Sequence, residues 1–86
     1  MRPLLYTIDM TIRLEYMGFF KIENAPSNST VEVPSQTTVD AFLDRLLVKK
    51  DARKFMVPLI NRERKPFDYV LNDGDSLFLY FPVGGG

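Results

Sequence analysis

The chain has 86 residues, 45% of them apolar and 26% charged, with eleven basic residues balancing eleven acidic ones. That length makes one domain with a modest core, and zero net charge argues against nucleic acid as the main partner, because phosphate binding shows as a basic excess. The chain contains neither Cys nor His, which excludes disulfides, thiol catalysis and Cys-based metal sites and removes the side chain most used for proton transfer at neutral pH.

A chain so composed is a poor candidate for an independent enzyme, and no metal site is expected. The longest apolar run is far too short to span a membrane. Residues 1–9 do not make a signal peptide, because their apolar segment is short and Asp9 interrupts it. The expected setting is cytoplasmic, with no membrane partner.

Residues 6–16 alternate strictly: Tyr6, Ile8, Met10, Ile12, Leu14 and Tyr16 are apolar, and Thr7, Asp9, Thr11, Arg13 and Glu15 are polar. This period of two predicts a strand with one buried face. Residues 1–9 form an N-terminal extension to it, ordered at least in part by the alternation at Tyr6 and Ile8. Gly18 breaks the pattern and Phe19 and Phe20 follow. Residues 24–30 are a turn-forming cluster. Asn28-Ser29-Thr30 also matches a glycosylation sequon, a short motif that carries little weight here. Residues 30–34 read as a second strand with Val31 and Val33 inward, joined to the first by a long, irregular connection.

The one clear helix is predicted over residues 38–50. Val39, Phe42, Leu43, Leu46 and Leu47 recur at i, i+3, i+4, i+7 and i+8, which makes one apolar face. Thr37 or Thr38 caps its start, and Thr37 with Asp40 resembles a capping box. Lys49 and Lys50 complement the dipole near its end. Arg45, Lys49, Lys50, Arg53 and Lys54 form a local basic patch, read either as a solvated helix end or as a docking patch for an acidic surface.

Residues 55–60 read as a third strand, in which Pro58 requires an edge or a bulge. Residues 61–65 are a charged turn. Residues 66–71 hold a short strand or turn, with Phe67, Val70 and Leu71 over the core. Asn72-Asp73-Gly74-Asp75 is a turn with Gly74 suited to positive φ; its paired aspartates lack the remainder of a calcium loop. Residues 76–81 form the last strand. Leu77, Leu79 and Phe81 share one face, and Phe78 and Tyr80 share the other. With a helix on one face of the sheet, one aromatic set turns outward, either as a docking platform or beneath a loop or the N-terminal extension. Pro82 then stops the strand, and Val83, Gly84, Gly85 and Gly86 follow as a flexible tail over residues 82–86.

Taken together, these elements predict a single α+β domain over residues 1–86. Its form is a β-grasp (ubiquitin-like) roll, with a mixed sheet of four to five strands packed on one main helix. The turn Leu71-Asn-Asp-Gly-Asp-Ser-Leu77, followed by Phe81-Pro-Val-Gly-Gly-Gly86, resembles the MoaD/ThiS family of sulfur carrier proteins, over roughly residues 10–86. Asn61-Arg62 stands where that family shows Asn-Gly, and Phe81-Pro82-Val83 lacks a second proline.

The resemblance implies a carrier rather than an enzyme, of the kind that serves as the non-catalytic small subunit of a molybdopterin synthase-type enzyme. Its reactive group would be the Gly86 carboxylate. A partner of the ubiquitin-activating type would adenylate that carboxylate with ATP and Mg²⁺, no cofactor being bound by this chain, and a sulfur donor would make it a thiocarboxylate. The acceptor enzyme would be one such as a molybdopterin synthase large subunit. Phe78, Tyr80, Phe81, Pro82, Val83, Gly84 and Gly85 would bind the partners. A thiamine-thiazole carrier and a ubiquitin-like modifier joined to lysines are the alternatives.

Overall fold

The computed structural model describes residues 10–16, 22 and 25–80. The extension at residues 1–9, the break at Gly18 with Phe19 and Phe20, and the tail from Phe81 to Gly86 lie outside the described residues. Five strands and two helices run in the order β1 (Met10–Tyr16), β2 (Ser29–Val33), α1 (Val39–Arg45), α2 (Lys50–Arg53), β3 (Val57–Ile60), β4 (Glu63–Arg64) and β5 (Ser76–Tyr80). They form one mixed sheet of order β2-β1-β5-β3-β4. β1 and β5 pair in parallel at its centre, and every other pairing is antiparallel.

Period-two alternation sorts the sheet into two faces. Met10, Ile12 and Leu14 from β1, Val33 from β2, Ile60 from β3 and Leu77 and Leu79 from β5 are buried on one face, against Val39, Phe42, Leu43 and Leu46 of the helix layer. This is the α+β β-grasp roll the sequence predicts. Val31 is half-buried rather than fully inward. Tyr16 pins the long β1–β2 connection: its hydroxyl donates to the Ala25 carbonyl (2.6 Å), and its backbone N–H donates to Ser27 Oγ (2.9 Å).

The helix is shorter than its periodicity predicts. Thr38 caps it, with Oγ1 accepting from the Ala41 N–H at 3.0 Å. Thr37 is buried and donates instead to the Pro34 carbonyl, so the Thr37–Asp40 capping box does not form. At the other end Leu47 adopts φ +63. The Val48 N–H reaches the Leu43 carbonyl and the Leu47 N–H reaches the Asp44 carbonyl, each at 3.0 Å. These two bonds make a Schellman stop. Leu47 therefore leaves the apolar face and is 76% exposed. The predicted continuation to residue 50 is not made, and a separate turn of helix, α2, begins there.

α2 carries Arg53 inward. Its Nη1 donates to Asp40 Oδ1 (2.9 Å), and its Nη2 donates to Asp44 Oδ1 (2.7 Å) and the Val48 carbonyl (2.6 Å). Arg53 is thus a buried clamp between α1 and α2 and not part of a surface patch. Lys50 is also tied to Asp44, at 3.4 Å. Phe55, just beyond α2, is 63% exposed.

Pro58 lies inside β3, and the hydrogen-bond register explains its acceptance. The Asn61 N–H donates to the Ser76 carbonyl at 2.9 Å, so odd-numbered residues of this stretch bond to β5. The Pro58 nitrogen then faces the β4 side, where β4 pairs only with Leu59 and Ile60. On that side the Pro58 carbonyl accepts from the Lys65 N–H at 3.2 Å, just past β4, and no N–H is required of Pro58. Residues 66–71 form a turn with one isolated bridge, Thr38 to Val70. Leu71 is buried and Phe67 packs against the core, but Val70 is exposed and Tyr69 takes the inward place predicted for it.

Gly74 has φ +87, the positive value expected of it. Both neighbouring aspartates hold backbone. Asp73 Oδ1 accepts from the Thr11 N–H at 2.8 Å. Asp75 is buried; it accepts from the Asn72 N–H and from Asn61 Nδ2, each at 2.8 Å. Asn61 Oδ1 in turn accepts from the Ser76 N–H at 3.0 Å. Asp75 and Asn61 therefore lock the start of β5 to the β3–β4 turn.

Candidate functional site

With the helices on one face, the other face of the sheet is open among the described residues. Its centre is the outward side of β5. Phe78 is half-buried and Tyr80 is 39% exposed, and their rings stack with centroids 6.5 Å apart and planes 25° from parallel. The sequence left open whether this pair faces outward or is covered; among the described residues it forms an outward platform.

Neighbouring strands extend it. Phe78 pairs with Leu59 of β3 and Glu15 of β1, and Tyr80 pairs with Val57. Since Pro58 and Ile60 are buried, Val57 and Leu59 belong to the open face. Beside Phe78 lies a hollow of about 590 Å³, lined by Glu15, Leu59, Asn61, Arg62, Ser76 and Phe78. Glu15 is held by Arg13 at 3.2 Å. Such a surface supplies apolar contact and charge for docking.

Of the predicted site residues, Phe78 and Tyr80 are brought together at this platform. Phe81, Pro82, Val83, Gly84, Gly85 and Gly86 lie outside the described residues and continue the chain from β5. The contributions of Leu59, Val57 and Arg62 were missed by sequence reasoning. The signal for the first two was the alternation of residues 57–60, which Pro58 disguises. The signal for Arg62 was the Asn61-Arg62 pair, a two-residue loop between strands. Of the predicted basic patch Arg53 is buried, and Lys50, still exposed, pairs with Asp44 at the surface. No helix among the described residues is long and apolar enough to cross a membrane.

No protein-family model matches the chain. Solved structures do. SAMP1 from Haloferax volcanii is 25% identical, with a TM-score of 0.68 over 88% of this chain and 99% of that one. A structure of small archaeal modifier protein 1 from H. volcanii gives 0.68 at 19% identity, covering 86% and 99%. A putative molybdopterin converting factor, subunit 1, from Pyrococcus furiosus gives 0.66 at 17% identity, covering 87% and 100%. The chain thus has the ubiquitin-like β-grasp fold over nearly the full length of these structures. The solved structures that share it include a small archaeal modifier protein and a putative molybdopterin converting factor subunit, in line with the resemblance to MoaD/ThiS carriers.

Proposed function

We propose that this protein is a sulfur carrier, with Gly86 as the site of thiocarboxylate formation and the molybdopterin (molybdenum or tungsten) cofactor as the destination of the sulfur. The observation that supports it best is the placing of β5. This central strand carries the open-face platform and leads directly into Phe81-Pro-Val-Gly-Gly-Gly86. The handle that a partner grips and the segment it acts on are therefore one continuous piece of chain.

In this reading the activating partner supplies ATP, Mg²⁺ and the catalytic groups. The Gly86 carboxylate attacks the α-phosphorus of ATP and pyrophosphate leaves. A free carboxylate is a poor electrophile, whereas the acyl adenylate has a good leaving group. Sulfide (HS⁻) from the donor then adds at the acyl carbon, the acyl C–O bond breaks as AMP departs, and loss of the S–H proton leaves a thiocarboxylate with a soft nucleophilic sulfur. The residues of this chain dock and position. Phe78 and Tyr80 hold the partner, Pro82 stiffens the root of the tail, and Val83 to Gly86 extended reach about 13–14 Å into a cleft. Glycines at 84–86 keep the tail narrow. The acceptor enzyme, such as a molybdopterin synthase large subunit, receives the same tail.

A modifier reading is favoured by the name of one structural neighbour, small archaeal modifier protein 1; there the activated carboxyl forms an isopeptide bond with a lysine. Intact mass spectrometry separates the two. After incubation with the adenylating enzyme, ATP, Mg²⁺ and a sulfur donor, the chain should gain the difference between sulfur and oxygen, and a chain lacking Gly86 should not. Lysine-linked adducts without that gain would support the modifier, and no change with a competent enzyme would sink both.

A further inference from the structure

Arg62 is placed where the fold alone gives no reason for an arginine. Asn61 and Arg62 are the two loop residues of the β3–β4 hairpin, with φ +52 and +75. Two consecutive positive φ values make this a type I′ turn, whose second position favours Gly. Asn61 is well suited to its place: a short polar side chain tolerates the left-handed region, and its amide is committed to Asp75 and Ser76. Arg62 gains no comparable return. Its side chain makes no hydrogen bond or ion pair among the described residues, and it lines the hollow beside Leu59 and Phe78.

The charges around the hollow are unbalanced. Glu15, the acid in its lining, is engaged by Arg13 at 3.2 Å, and Glu63 by Lys65 at 3.2 Å. Arg64, directly opposite Leu59 in the pairing, has no ion pair among the described residues either. The left-handed backbone at Arg62 is a local strain of the kind that clusters at ligand- and partner-binding sites. An unpaired guanidinium beside an apolar hollow matches a carboxylate flanked by an apolar side chain.

We infer that Arg62 is a partner-recognition residue, whose guanidinium receives an Asp or Glu side chain of the activating enzyme as that enzyme packs on Phe78 and Leu59. The inference rests on the carrier reading above and names the chemistry of its first partner. The planar fork matters as well as the charge, because a carboxylate bound through two parallel N–H groups is not matched by an ammonium.

The test uses full-length Arg62→Gly and Arg62→Lys with the ubiquitin-activating-type adenylating enzyme of the same organism, read by ATP–pyrophosphate exchange. Arg62→Gly should raise the melting temperature, by about 4 °C, because it relieves the positive φ. The same variant should raise the half-saturating concentration of the chain about tenfold with the maximal rate unchanged. Arg62→Lys should keep the wild-type melting temperature yet lose a similar share of affinity. Equal half-saturating concentrations for wild type and Arg62→Gly would overturn the inference and leave the carrier reading intact. A lower melting temperature for Arg62→Gly would also overturn it, by showing that the arginine serves the fold. No exchange with the wild-type chain would remove the carrier reading, and the inference with it.

Discussion

Arg53 and Asp44 show how a single pair of residues joins two helices that sequence periodicity merges into one. Arg53 is only 5% exposed, yet its two terminal nitrogens find carboxylates and carbonyls of α1 and the following loop. Its Nε has no partner among the described residues. The hydrogen bond from Arg53 holds the Asp44 carboxyl below its usual 3.8, with Lys50 adding to the effect and burial opposing it. A carboxyl whose pKa is lower in the folded chain stabilises the fold above its unfolded pKa and ceases to do so as pH falls through the folded value. Asp44→Asn should therefore be less stable than wild type near neutral pH, and the gap should close well below 3.8. Urea midpoints at the two pH values check this; a gap unchanged by pH would show that the ionised form is not what matters. None of this was legible beforehand. Arg53 reads as one more base in a run of five, and only the tertiary position of α2 turns it inward.

At the scale of elements, the helix end shows where pattern reading fails and why. Leu47 fits the i+8 position of an apolar stripe, so periodicity carries the helix past it. The stop is made by backbone hydrogen bonds around a left-handed residue, and here that residue is Leu rather than the Gly or Asn that would have announced it. Leu47→Gly should relieve that conformation and remove an exposed apolar side chain, raising stability by about 1 kcal/mol. A thermal melt reads the result, and a lower midpoint would mean that Leu47 packs usefully after all. The strands were far more legible. Residues 10–16 alternate without interruption, and both the buried and the outward sets of β1 and β5 are as their patterns demand. In β3 the alternation passes through Pro58, and its open-face pair, Val57 and Leu59, was lost. In residues 66–71 Tyr69 joins Phe67 inward in place of Val70, because the turn follows hydrogen bonds from Val39 and Asp40 to its carbonyls rather than any strand period.

For the molecule as a whole, one strand separates stability from recognition. Leu79 is fully buried on one face of β5, and Phe78 and Tyr80 lie on the other. Leu79→Ala should cost about 2–5 kcal/mol, a large part of the roughly 5–15 kcal/mol that small domains possess. Phe78→Ala should cost less, about 1–2 kcal/mol, since its side chain is only partly buried, while on the carrier reading it weakens binding to the activating partner. Denaturant midpoints alongside pyrophosphate exchange would show the two losses falling on different variants. Equal losses of stability would mean that the open face is part of the core. The candidate site was legible in its aromatic pair, since Phe78 and Tyr80 stand in the last strand's own sequence. Its remaining wall comes from β1 and the β3–β4 turn, brought beside β5 by a sheet order no local pattern specifies.

The position of β5 has a mechanical side. It lies between β1 and β3, and its parallel register with β1 runs from Arg13 opposite Ser76 to Tyr16 opposite Leu79. A tension applied to the chain beyond Tyr80, and resisted through the start of β1, would load those hydrogen bonds side by side rather than peel them one after another. A pull on the chain beyond Tyr80 would thus bring the whole body along before the strand tore free.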